Sequence, residues 1–161
     1  MNNVGFVPNL LSNYKNKNGF VVSASSEKSS GDKSGGDKSF SAYNVFNNSR
    51  YGEWCTDGVF ENFWIQLQCP ERIRIHKFSL RGKHSGTERI YNWKLQGNND
   101  TDVWDDLHIE INALISNTIS FYNVSTSTGY NNYRIFVVDA EGDNPGLSSW
   151  QLYTADPISM I

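Results

Sequence analysis

The sequence predicts an all-β sandwich, and three observations carry that prediction. Residues 63–69 alternate, with Ile65, Leu67 and Cys69 on one face and Gln66 and Gln68 on the other, which is the period of a half-buried strand. After residue 42, short apolar runs recur between turn clusters such as Asn98-Asn99-Asp100-Thr101, the rhythm of a sandwich or barrel. Aromatic residues make up 14% of the chain, and their side chains suit a pleated, half-buried surface. No segment shows a convincing helical period.

The elements follow in order. Residues 1–22 hold a short apolar entry, Val7 to Leu11, then a polar turn, then Phe20-Val21-Val22. A Ser/Gly/Lys/Asp-rich segment at about 27–40 contains Gly-Asp-Lys-Ser twice, and its composition reads as a flexible surface loop. A phosphate-binding loop would need such a run between a strand and a helix, and no helix follows. Strands are then expected at 63–69, 73–80 and 93–97, with a charged loop from Arg81 to Arg89. Further strands are expected at 115–124, 133–138 and 150–153. Tyr133 to Val138 is apolar on both faces, as suits a central strand. A length of 161 residues is one domain, spanning 1–161, and long enough to bury a substantial core.

Composition excludes several function classes. A formal charge of −3 argues against nucleic-acid binding, which needs a basic footprint. The charge is uneven: Arg72, Arg74, Lys77, Arg81, Lys83 and Arg89 crowd residues 71–89, while residues 100–110 are acidic. The plainer reading is two solvated faces; the sharper one is a cationic loop facing an anionic ligand. No apolar run approaches a membrane span. The opening Met1-Asn2-Asn3-Val4 lacks signal-peptide features, so the chain reads as intracellular or as a piece of a larger protein. As a piece, an extracellular, cell-surface or virion location is favoured. Cys55 and Cys69 allow one bridge or two buried thiols, and their places near strand edges favour free thiols.

Six stretches, taken together, carry a resemblance. They are Trp64-Ile65-Gln66-Leu67, Ile75 to Leu80, Trp93 to Asp100, Trp104 with Leu107, Tyr133-Arg134-Ile135 and Leu147 to Leu152. In this order and spacing, and with Ala42 to Ser49 ahead of them, the chain resembles the discoidin family (coagulation factor V/VIII type C). Its bacterial relatives are the family 32 carbohydrate-binding modules. The resemblance implies an eight-stranded jelly roll whose ligands meet loops at one end. Family members hold a structural calcium at positions that are Asn47, Gly52 and Ser149 here. Calcium prefers carboxylates, so a tight site is not expected and weak binding stays open; no other cofactor is implied. Galactose-binding relatives use a His, an Arg and an Asn at positions that are Cys55, Arg81 and Thr87 here. Of these, Arg81 keeps the chemistry, a planar fork of donors suited to adjacent hydroxyls or a carboxylate.

Beside Arg81, the residues themselves nominate Tyr51 as a loop-borne stacking ring, and His84 and Arg89 on the charged loop. Asn144, on the loop before the last strand, completes the set. Trp64, Trp93 and Trp150 lie in strand patterns and are assigned to the core. Enzymatic readings fail: His76, His84 and His108 lack metal-ligand spacing, and no Gly-x-Ser-x-Gly elbow is present. Asp105-Asp106 reads as adjacent turn residues, too divergent to flank a glycosidic bond. The expected function is a non-catalytic, lectin-like module that recognises a glycan or glycoprotein as part of a larger or multivalent protein. A protein-interaction or adhesion module is the alternative, and membrane-surface binding is third, because the loops look polar.

Overall fold

The computed structural model describes residues 16–28, 40–46, 52–58, 62–84 and 88–154. Among them, ten strands form two antiparallel sheets. The strands are β1 (Asn16–Lys17), β2 (Phe20–Ala24), β3 (Trp54–Cys55), β4 (Phe63–Ile73), β5 (Lys77–Gly82), β6 (Ile90–Asn98), β7 (Asp105–Glu110), β8 (Ser120–Asn123), β9 (Tyr130–Ala140) and β10 (Gly146–Tyr153). One sheet has the order β1-β2-β4-β9-β6-β7 and the other β3-β10-β5-β8. A single 3-10 turn over Ala42–Phe46 is the one helical element among the described residues.

Alternation builds these strands as the sequence predicts. In β4, Phe63, Ile65, Leu67 and Cys69 point inward, and β9 answers with Tyr133, Ile135 and Val137. Facing them across the sandwich, Phe78, Leu80, Trp150 and Leu152 come from β5 and β10. Phe78 meets Trp93 edge-on at 5.9 Å and joins the two sheets, while Phe46 of the 3-10 turn packs on Trp150 at 5.4 Å. Pro70 sits inside β4 because the β4–β9 register breaks between Gln68 and Ile73, where no ladder donor is required.

Four details depart from the sequence expectations. β4 continues to Ile73, the chain changes sheet over 74–76, and β5 starts only at Lys77. Asp105-Asp106, read as a turn, open the edge strand β7. Of 115–124, only Ser120–Asn123 is a strand; the stretch before it runs beside β6, with Ala113 N–H donating to Tyr91 O and Ile115 N–H to Ile90 O. Trp64, assigned to the core, is half-exposed, because it shares the outer face of β4 with Gln66.

Both cysteines are free and buried. Desolvation pushes the Cys55 thiol up to about 11 and the Cys69 thiol up to about 12. Deep in the core, the Tyr133 hydroxyl donates to Ile73 O. No helix among the described residues is long and apolar enough to cross a membrane.

Candidate ligand-binding end

Several elements finish at one end of the sandwich. β5 ends there at Arg81-Gly82, β10 begins there at Gly146, and β3 lies beside β10. Gly146 is what lets them meet: a Cβ on it would stand 1.7 Å from the Trp54 carbonyl oxygen. Segments 25–28, 56–58, 83–84, 88–89 and 141–145 cover this end.

Asn144 joins three of these segments. Its Nδ2 donates to Thr56 O at 2.9 Å, and its Oδ1 accepts from Lys28 Nζ at 3.2 Å. Its backbone oxygen accepts from Lys83 Nζ at 3.0 Å. Lys83 also pairs with Glu88 Oε2 at 3.3 Å, with only 7% of its side chain exposed. Lys83 therefore points into the protein, and a charge buried that far is stable only with such partners. Arg89 Nη1 donates to Lys83 O at 3.2 Å and fastens the far arm of the same loop. Gly142 (φ +79°) makes the adjacent turn, where a Cβ would come within 2.2 Å of Glu88 Cγ.

Arg81 is half-buried, and its Nε donates to Ser148 Oγ at 2.8 Å. Ser148 Oγ in turn donates to Gly82 O at 2.7 Å. The guanidinium plane is thus fixed from below, as an orienting group at a recognition site must be. His84 is exposed beside it in sequence.

The expected site residues therefore separate. Arg81, His84, Arg89 and Asn144 come to this end, with Arg89 and Asn144 committed to holding the loops together. Cys55 does not present its thiol: the residue is 1% exposed with its thiol against Lys83, so the expected ligand contact is corrected to a buried position beneath the loops. Tyr51, Thr87 and Asn47 lie outside the described residues, as does most of the loop expected at 27–40. The two ends of that loop are pinned, Lys28 N–H to Cys55 O at 2.9 Å and Glu27 Oε2 to the Ala42 N–H at 2.7 Å.

The basic segment 71–89 does not make one patch. Arg72 and Arg74 sit where β4 ends, and Arg81 and Lys83 lie at the opposite end of β5. The acidic run is similarly dispersed: Asp100 bonds Asn131 and Asn132, Asp105 accepts from Tyr130, and Asp106 accepts from Gln96 and Lys94. Those amide hydrogen bonds hold Asp100 and Asp106 below the ordinary carboxylate range.

Among the described residues, no three His, Cys, Asp or Glu side chains group as a metal site. The degenerate calcium positions do not fit a tight site either: Gly52 brings no side-chain ligand, and Ser149 is the register partner of Arg81.

Sequence reasoning missed Lys28, Thr56 and Ser148 as parts of this end. It also missed an apolar component. Ile111 is 71% exposed and Leu114 54% exposed, on a segment tied to the tip of β5 by Gly82 N–H donating to Ser116 O at 2.7 Å.

No family model matches the chain. No curated protein is significantly similar to it in sequence. Solved structures do match its fold. The module CpGH89CBM32-5 from Clostridium perfringens, in complex with GalNAc-β-1,3-galactose, is similar at a TM-score of 0.69 and 15% identity, over 84% of this chain and 96% of that one. The family 32 carbohydrate-binding module of NanJ from the same organism, in complex with galactose, gives 0.64 and 12% identity over 83% and 92%. Chitosan-binding module 1 of a Paenibacillus chitosanase/glucanase gives 0.66 and 16% over 84% and 95%. A whole family 89 glycoside hydrolase from C. perfringens matches over only 14% of its length. At these identities the likeness defines a fold: an all-β sandwich of the kind used by carbohydrate-binding modules.

Proposed function

We propose that this protein is a non-catalytic carbohydrate-binding module of discoidin type that recognises a glycan at the loop end, around Arg81. The observation that carries this reading is the Arg81 guanidinium, held by Ser148 at the end where segments 25–28, 56–58, 83–84 and 141–145 meet. A fixed, planar set of donors suits neighbouring hydroxyls, whose positions on a sugar ring are equally rigid. The fold neighbours support the reading because two of them are carbohydrate-binding modules solved with a bound sugar, and the large hydrolase chain matches over a small part. Weak single-site affinity would be raised where several copies sit on one parent assembly.

A glycan array probed with multivalent protein, beside an Arg81→Ala control, tests the proposal. Selective binding that the control loses supports it. A blank array from folded protein overturns it.

A second reading has a specific observation behind it. Leu114 stands exposed two residues before Ser116, whose carbonyl accepts from Gly82 next to Arg81, and apolar and basic groups on one end suit an anionic membrane surface. Flotation with phosphatidylserine vesicles that Leu114→Asp abolishes would favour this reading over the glycan.

A further inference from the structure

The outer face of the six-stranded sheet carries two parallel rows of side chains. Register places Trp64 opposite Phe136, and Phe136 opposite Lys94, so two rings side by side on β4 and β9 are followed by a lysine on β6. One step along the strands, Ser23, Gln66, Arg134 and Gln96 line up across β2, β4, β9 and β6. Trp64, Gln66 and Phe136 are half-exposed, and Ser23 and Gln68 are exposed.

The β7 side of this face is locked. Arg134 Nε donates to Gln96 Oε1 at 2.7 Å, and Gln96 Nε2 donates to Asp106 Oδ1 at 2.7 Å. Lys94 Nζ reaches Asp106 Oδ2 at 3.2 Å. The Arg134 guanidinium lies 4.0 Å from the Trp104 ring centre and 4.8 Å from that of Phe136. Lys94 is paired with that carboxylate, and the Arg134 guanidinium is committed to Gln96 and the two rings.

The β4 side is different. The amides of Gln66 and Gln68 and the Trp64 indole N–H make no side-chain hydrogen bond among the described residues. An amide offers donor and acceptor together, as a hydroxyl does. A flat aromatic surface beside it offers apolar contact to a ring's C–H face. A flat protein partner would instead have to desolvate these amides without a matched group for each.

We propose that this face is a second ligand-binding surface, taking an extended, neutral oligosaccharide laid across the strands on Trp64 and Phe136, with its hydroxyls on Gln66 in the next row. The site is separate from the loop end. Either can exist without the other.

Isothermal titration of the full chain with cellohexaose, laminarihexaose and N-acetylchitohexaose tests it, using the wild type, Gln66→Ala, Trp64→Ala and Arg81→Ala. At least one hexasaccharide binds, Gln66→Ala and Trp64→Ala each weaken that binding about five- to tenfold, and Arg81→Ala leaves it unchanged. Absence of binding by all three sugars at millimolar concentration overturns the proposal. So does binding that Arg81→Ala removes and Gln66→Ala leaves intact, which would assign the sugar to the loop end. Sedimentation equilibrium in the absence of sugar supplies the remaining arm: a dimer that both Trp64→Ala and Gln66→Ala dissociate would make a second copy the occupant and overturn the proposal.

Discussion

The loop end and the outer face of the six-stranded sheet use similar side chains for opposite purposes. At the loop end, Asn144 and Lys83 look like recognition groups but hold segments 28, 56, 83 and 144 against one another. On the sheet face, Gln66 and Gln68 look like ordinary solvent-side residues, yet their amides have no described partner. Polar residue type alone therefore does not separate binding from bracing. The location of the partners does.

Substitutions can break or sharpen that contrast. The largest effect is expected inside the sandwich that supports both regions. Trp150→Ala, removing a fully buried ring packed on Phe46, should destabilise by roughly 3–5 kcal/mol in urea unfolding. At the loop end, Asn144→Ala strips partners from Thr56 O and Lys28 Nζ, and a loss of about 1–3 kcal/mol is expected. A loss near zero would mean that Asn144 does not brace the loops and would erase the contrast.

A smaller effect concerns the thiols beneath the two regions. Burial raises Cys55 from 9.0 to about 11 and Cys69 from 9.0 to about 12. The folded state then resists ionisation that the unfolded chain accepts. Stability from this source is complete below pH 9.0 and declines as pH rises from there toward 11 and 12. A Cys55→Ser, Cys69→Ser double variant should show a flatter alkaline limb in the same unfolding assay. The smallest effect is expected on the sheet face, where Gln66→Ala should change stability by no more than about 0.5 kcal/mol. A larger loss would show Gln66 to be structural.

Much of the fold was legible because its strongest signals are local. The alternation in 63–69 gave the inward face of β4 correctly, and it also placed Trp64 with Gln66 and Gln68. Expecting Trp64 in the core let residue size override period. β7 was hidden for another reason. An edge strand whose first residues, Asp105 and Asp106, are both exposed has no alternation to read, and adjacent aspartates resemble a turn. The turn at Asn98 to Thr101 was legible from composition, and its chemistry explains why: Asn98 Nδ2 donates to Thr101 O, and Asp100 takes a positive φ of 59°.

The candidate site was less legible. Lys83 and Asn144 are 61 residues apart, and Asn144 reaches Lys28 across 116 residues. Nothing local in the sequence marks a lysine that turns inward toward such a partner. Cys55 stood at the position of a ligand-binding histidine in the resemblance, but β3 pairs with β10 and the thiol is buried against Lys83. Arg81 was nominated by the resemblance, and it stands one residue before the end of β5. Ser148, which orients it, lies on the neighbouring strand and leaves no signal near Arg81.

The edge position of β7 has a consequence for solubility. An uncovered strand edge is a template on which another chain can add, and a six-stranded sheet ending in an open ladder would invite it. β7 begins with the charged pair Asp105 and Asp106, and its register against β6 breaks between Leu95 and Gln96. Like charges meeting along such an edge repel, and the irregular register spoils the fit of an incoming strand. The feature that concealed this strand from sequence reading is thus also its protection against templated aggregation.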